Sequence, residues 1–161
     1  MSKLIDETIG TVRRLVTELR PSILDDFGLL AALEWQLWEF QKRTGIQSEF
    51  VSTLEDLNIA EKLSITVFRI FQEALTNVAR HANATKVTAT LYKEADSLVL
   101  KVEDNGKGIS ADDIHNTNSF GLMGMRERAL FLGGTVYFSG EPSKGTTVSV
   151  QFPYKTPSPQ A

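Results

Sequence analysis

Three clusters hold the side chains that could do chemistry: FQEALTNVARHA at 71–82, VEDNGKGI at 102–109 and FGLMGMRERALFLGG at 120–134. In the first, Glu73 and Asn77 stand one helical turn apart, so a carboxylate and an amide oxygen share a face. A magnesium ion travelling with nucleotide phosphates asks the protein for only a few hard oxygens and keeps several waters, which this pair satisfies. Arg80 and His81 add donors suited to phosphate oxygens. His81 also falls back toward the apolar side of the helix and fits a satisfied buried histidine equally well. In the second cluster Asp104 closes an apolar run, and Gly106 and Gly108 let the chain bend sharply away while the carboxylate stays aimed at the core region. Such a carboxylate needs a donor, and the exocyclic amine of adenine is a suitable one. In the third, Gly121 and Gly124 stand immediately before and within the first turn of a helix, where backbone amides are free and an anion is favoured. Arg126 or Arg128, further along that helix, could reach a terminal phosphate.

Taken singly, each cluster also fits a plainer role: a solvated helix face, a turn at a strand end, arginines paired at a surface. Their order and spacing make them one nucleotide pocket. No G-x-x-x-x-G-K-[ST] occurs and no strand runs into G-x-G-x-x-G, which excludes a P-loop and a dinucleotide-binding fold.

The elements that must position these residues follow from apolar spacing. Ile5, Ile9, Val12, Val16 and Leu19 recur at steps of four and three, with Leu4 and Leu15 widening the surface, as in the seam of a helix packed lengthwise on another. About five turns of such helix are marginal alone in water. A partner helix from a second copy of the chain is therefore expected, with folding back onto its own domain as the alternative. Pro21 stops this helix. Ser22 and Asp25 cap a new start, and Leu29, Leu30, Leu33, Leu37 and Phe40 give one apolar side to a helix ending near Gly45.

A short strand follows at about residues 46–51. A central helix then runs from beyond Asn58 to about His81, with Leu63, Val67, Ile70, Phe71, Ala74, Leu75 and Val78 as its buried stripe. Glu73, Asn77 and Arg80 border that stripe. Alternation in Val87, Ala89, Leu91 and in Leu98, Leu100, Val102 predicts a hairpin turned at Ala95-Asp96. Residues 105–119 are too many for an ordinary turn and form a candidate mobile lid. A helix over 122–132 stops at Gly133-Gly134, and strands at 135–139 and 146–152 close the domain. The end, YKTPSPQA, has the composition of a disordered tail.

At 161 residues and 42% hydrophobic content, the chain suffices for one core-bearing domain plus an appendage. A formal charge of −3 lacks the electrostatic footprint of a nucleic-acid binder. Without cysteine, disulfides and thiolate metal sites are excluded. The longest apolar run, 27–40, is interrupted by Glu34 and Gln36 and falls short of the roughly 20 residues a membrane span needs. No stretch has the pattern of a signal peptide.

With these residues in view, the chain resembles the ATP-binding catalytic domain of two-component sensor histidine kinases, within the Bergerat-fold ATPases, over about residues 27–153. In that family the N box corresponds to Glu73 through His81. The first glycine box corresponds to Asp104 through Gly108, with Ile109 at its end, and the second to Gly121 through Met125, including Leu122 and Gly124. Gly145-Thr146-Thr147 also matches, and the resemblance implies a threonine hydroxyl there, from Thr146 or Thr147, supporting the adenine-binding aspartate. It further implies ATP and Mg2+ as cofactors, with Glu73 and Asn77 as magnesium ligands and catalytic residues and Glu73 also polarising the attacking imidazole.

LRPSILDDFGLLAAL, at 19–33, looks like the junction between dimerisation domain and ATPase in the nitrate-sensor and desaturase-sensor subfamily. Residues 3–20 are then the second helix of a dimeric four-helix bundle. The family's phosphoacceptor histidine has no match, since His81 belongs to the N box and His115 to the lid. The expected fold is α+β, a two-layer α/β sandwich with a mixed sheet, helices on one face and a preceding N-terminal helix. The expected segments are 1–26, the end of the dimerisation bundle and junction; 27–153, the ATP-binding domain; and 154–161, the tail.

The expected function is donation of the γ-phosphoryl group of Mg-ATP to a histidine on a phosphoacceptor domain and thence to a response regulator. A homodimer in the cytoplasm is implied, with no nucleic acid and no membrane segment in these residues. Two alternatives remain: an ATP-dependent assembly switch without transfer, and a gyrase- or chaperone-like ATPase, against which the Leu19-Arg20-Pro21 junction argues.

Overall fold

The computed structural model describes residues 2–18, 22–116 and 118–155. Along the chain come α1 (Ser2–Glu18), α2 (Ser22–Thr44), β1 (Gln47–Ser52), α3 (Glu61–Asn77), a π-helical turn (Val78–Ala82), β2 (Lys86–Glu94) and β3 (Ser97–Asp104). They are followed by α4 (Ala111–His115), α5 (Phe120–Phe131), β4 (Thr135–Glu141) and β5 (Gly145–Pro153).

Strand alternation builds the two layers. Val87, Ala89, Leu91, Leu98, Leu100, Val102, Val148, Val150 and Phe152 are buried on one face of the sheet, while Thr88, Thr90, Lys101, Glu103, Ser149 and Gln151 on the other remain partly exposed. The strand order is β1-β2-β3-β5-β4. Only β1 and β2 run parallel; the other pairs are antiparallel. The β2–β3 hairpin turns at Ala95-Asp96, with Ala95 at φ 50°. Helices cover the apolar face: Leu33, Leu37 and Phe40 of α2, Val67, Phe68, Ile70 and Phe71 of α3, and Met125 and Ala129 of α5 are all buried in one core. The fold is α+β, a mixed five-stranded sheet with helices on one side.

Several expectations change. The segment from Ser22 is not one straight helix: Gly28 adopts φ 83° and ψ −179°, which breaks α2 into a short lead and a main helix beginning at Leu29. A Cβ would meet nothing within 4 Å there, so it is the backbone conformation that selects glycine. The central helix is α-helical only to Asn77; the next five residues form a π turn that ends at left-handed Asn83. In α1, Leu4, Ile5 and Ile9 are 70%, 55% and 45% exposed. The side chains of Val12, Val16 and Leu19 and the break at Pro21 lie outside the described residues.

Tyr154, expected at the start of a disordered tail, is instead anchored. The Tyr154 amide donates to the Asp96 carbonyl at 2.7 Å, and its ring packs against the core. The polar and proline-containing composition that follows hides this single anchoring aromatic. Residues 156–161 lie outside those described.

Phe71 is fully buried where α3 crosses the sheet, so Phe71→Ala should lower the unfolding free energy by about 3–5 kcal/mol. A urea melt with the same slope and a reduced midpoint would show this; an unchanged midpoint would contradict the packing.

Candidate functional site

A cavity of about 500 Å³ opens beside the core between α3, the π turn, the ends of β3 and β5, the α4 segment and the start of α5. Asp104, with Val102, Phe138, Thr146 and Val148, forms its floor. Glu73, Asn77, Arg80 and His81 line one wall, and Gly108, Ile109, Asp113, Asn116 and Asn118 the other. Its size and mixture of apolar floor and polar walls suit a nucleotide.

Asp104 is the last residue of β3. Its Oδ1 accepts hydrogen bonds from the Gly106 amide at 2.8 Å and the Thr146 amide at 3.4 Å. The carboxylate is thus held by backbone on two sides while the half-buried residue still lines the cavity. Pairing in the sheet decides between the two threonines. Thr147 stands opposite Glu103 and Ser139, on the face turned away from the helices, whereas Thr146 shares the cavity face with Val148. Thr147 is therefore placed outside the site by the two-residue period of a strand. The bond recorded from Thr146 to Asp104 comes from its backbone amide and not from the implied hydroxyl.

The loop after Asp104 is pinned by a residue that sequence reasoning did not assign. Asn105 Oδ1 accepts from the Thr85 and Lys86 amides, both at 2.9 Å, and its Nδ2 donates to Thr85 Oγ1 at 2.8 Å. The Lys107 amide donates to the Ala82 carbonyl at 2.7 Å. A Cβ on Gly106 would overlap that same carbonyl, so Gly106 packs the loop onto the π turn and stays outside the cavity lining. Gly108, at φ 83°, lines it. The local bond from the Gly106 amide to Asp104 is the Asx-type turn that D-N-G signals; the pinning by Asn105 reaches residues about twenty positions away and carries no such signal.

On the opposite wall, the π turn changes the phase of the helix. Its wider turn lags an α-helix, so His81, which an α-helical continuation would carry toward the apolar stripe, is exposed and lines the cavity together with Arg80. The buried-histidine alternative is thereby corrected. Glu73 and Asn77 lie directly against Gly121 at the cavity's edge. A Cβ on Gly121 would overlap Glu73 Oε1 and stand 3.6 Å from Asn77 Oδ1. Two hard oxygens that close to one point, at the edge of a phosphate-sized space, fit a nucleotide-borne magnesium. Among the described residues no group of three acids or histidines could hold a metal alone, and such an ion does not need one.

α5 starts at Phe120, two residues before the expected position, without a side-chain cap. Gly121 and Leu122 sit in its first turn, at the cavity, where amides lack intrahelical partners. The remainder of the second glycine cluster does not reach the cavity. Met125 is fully buried in the core, and Gly124 faces Arg128, whose Nη1 would be 3.2 Å from a Cβ there. Arg126 lies 5.0 Å above the Phe138 ring, with Nη2 donating to the Ile114 carbonyl at 3.2 Å. Neither Arg126 nor Arg128 lines the cavity; Lys107, which sequence reasoning passed over, does.

The expected mobile lid contains order. Ser110 Oγ accepts from the Asp113 amide at 3.1 Å while Asp113 Oδ2 accepts from Ser110 Oγ at 2.7 Å and, at 3.4 Å, from its amide. This capping box starts α4. The signal was present as Ser110-x-x-Asp113. The side-chain bond from Ser110, followed by its backbone bond, lowers the Asp113 carboxyl below the ordinary aspartate range.

A strand-end aspartate, an N-terminal helix mouth and an acid–amide pair around one cavity describe an ATPase domain. The chain belongs to the family described as histidine kinase-, DNA gyrase B-, and HSP90-like ATPases, whose profile matches residues 63–156. It is 35% identical over 153 residues to the sensor protein VraS of Staphylococcus haemolyticus, a match covering 95% of this chain and 43% of that protein. It is 33% identical over 156 residues to the signal transduction histidine-protein kinase/phosphatase DegS of Brevibacillus brevis, covering 97% and 40%. The chain thus spans less than half of the length of these relatives.

Among solved structures, the histidine kinase domain of a blue-light activated histidine kinase from Erythrobacter litoralis superposes with a TM-score of 0.65 at 22% identity, over 78% of this chain and 60% of that one. The catalytic domain of histidine kinase ThkA gives 0.64 at 18%, over 78% and 89%. At those identities the likeness carries the fold.

Because the Asp113 carboxyl is lowered in the folded chain, the capping box contributes stability that is fully present above the unfolded-state value and disappears as pH falls through the folded one. An NMR titration should place the Asp113 midpoint below that of an ordinary aspartate, and Ser110→Ala should return it to the ordinary range. A midpoint indifferent to Ser110 would contradict the assignment.

Proposed function

We propose that this chain binds Mg-ATP and, within a longer sensor kinase, donates the γ-phosphoryl group to a histidine. The observation that carries the reading is Asp104, clamped by the Gly106 and Thr146 amides at the floor of a cavity whose mouth is the first turn of α5. The Asp104 carboxylate accepts the exocyclic amine of adenine, and Ile109, Val102 and Val148 cover the ring. The Gly121 and Leu122 amides receive the phosphates, with Arg80, His81 and Lys107 as nearby cations.

Glu73 and Asn77 would hold magnesium, which when bound neutralises phosphate charge. Glu73 also accepts the proton of the attacking imidazole as its nitrogen bonds phosphorus and ADP leaves. Catalysis is then mostly positioning.

The exposed Leu4, Ile5 and Ile9 of α1 support a homodimer joined through that helix, with residues 1–26 as the end of a dimerisation bundle of the nitrate-sensor and desaturase-sensor type. The relatives named as sensor proteins support a response regulator as the final acceptor and a cytoplasmic setting for this domain. No helix among the described residues is long and apolar enough to cross a membrane.

Titration calorimetry with Mg-ATP tests the pocket. Asp104→Asn should weaken binding roughly 10- to 100-fold, the loss of a hydrogen bond to a charged group. Thr147→Ala, on the far side of the sheet, should change it less than about twofold. Equal affinities for wild type and Asp104→Asn would sink the reading. Transfer is tested separately by mixing the chain with labelled ATP and a fragment carrying an acceptor histidine: labelled fragment supports the kinase, and binding without label favours an assembly switch.

A further inference from the structure

Arg126 occupies the position in α5 from which a phosphate contact was expected, yet its guanidinium is committed elsewhere. Its guanidinium carbon lies over the Phe138 ring, 5.0 Å from the ring centre, and Phe138, a strand β4 side chain, also lines the cavity. From that seat Nη2 donates at 3.2 Å to the carbonyl of Ile114, in the last turn of α4. Carbonyls at a helix end lack intrahelical partners, and a cation there also suits the helix dipole. The five-residue α4 is too short to persist by itself. It is held at one end by the Ser110–Asp113 capping box and at the other by Arg126. Asp113, in the middle of α4, and Asn116, just beyond its end, line the cavity.

We propose that Arg126 is a positioning residue that latches α4 over the nucleotide pocket through Phe138 and the Ile114 carbonyl, and so sets how long an adenine nucleotide stays bound, without touching the γ-phosphate. The proposal rests on the pocket binding nucleotide, as argued above. The latch acts on the wall of the site, so it treats ATP and ADP alike. A γ-phosphate ligand would distinguish them. Arg126 is exposed, so replacing it leaves the core packing untouched.

Stopped-flow release of fluorescent ATP and ADP analogues from the full chain, with magnesium, tests this for wild type, Arg126→Ala and Arg126→Lys. In Arg126→Ala both nucleotides should leave faster by the same factor, about 3- to 10-fold, as expected for one exposed hydrogen bond and one cation–π contact. Arg126→Lys, which keeps a cation over the ring and one donor, should recover most of the slow release. Without any nucleotide, amide hydrogen exchange across residues 111–116 should quicken in Arg126→Ala, a change that a phosphate ligand would not cause.

Faster release of ATP with ADP unaltered would overturn the latch and leave the nucleotide pocket standing, as would release and exchange rates identical to wild type. If wild type retains neither nucleotide, the pocket reading itself falls, and the latch with it.

Discussion

An aspartate at the end of a strand, fixed by two backbone amides beside an apolar floor, is the constraint around which this domain is arranged. A carboxylate in that setting is stable only if its oxygens are satisfied. The Gly106 and Thr146 amides provide two bonds to Asp104 Oδ1. This requires β3 and β5 to be neighbours, which the strand order supplies. It also requires the chain after Asp104 to fold back at once, which Asn105 secures by bridging to Thr85 and Lys86. The sheet topology and the tight loop thus serve the same carboxylate.

The remaining parts are brought to that point by helix phase. α3 lies across the sheet with Phe68 and Phe71 in the core, which leaves Glu73 and Asn77 at the edge facing α5. The π turn then brings His81 to the cavity beside Arg80, at the place where an α-helix would have buried the histidine. Such turns recur at functional sites because one extra residue re-aims side chains without ending the helix. Gly121 matters for an equally local reason: a Cβ there would overlap Glu73 Oε1 and push that carboxylate aside, so glycine lets the helix mouth sit directly against the Glu73–Asn77 pair.

Much of this was legible in the sequence because it is periodic. Alternation in β2, β3 and β5 and the helical stripe of α3 are burial patterns, and they gave the sheet and the core directly. The same rule, applied to pairing, separates Thr146 from Thr147, but only after the register with Glu103 and Ser139 is known. What stayed hidden depends on backbone conformation or on contacts distant in sequence. The kink at Gly28 and the π turn are departures from the helical period that the stripe alone cannot show. Arg126 read as a phosphate donor because its nearest competitor, the Ile114 carbonyl, is twelve positions away and belongs to a helix that polar composition disguised as a loop. Tyr154 was lost in the tail for a similar reason: its partner, Asp96, lies in a distant hairpin.

The most direct measurement of the central claim compares ATP with inosine triphosphate, which lacks the exocyclic amine and is otherwise nearly the same shape. Wild type should prefer ATP by roughly tenfold or more, the worth of a hydrogen bond to a charged acceptor, and Asp104→Ala should bind the two equally. Equal affinities in the wild type would show that the Asp104 carboxylate does not read the base, and the arrangement described around it would lose its purpose.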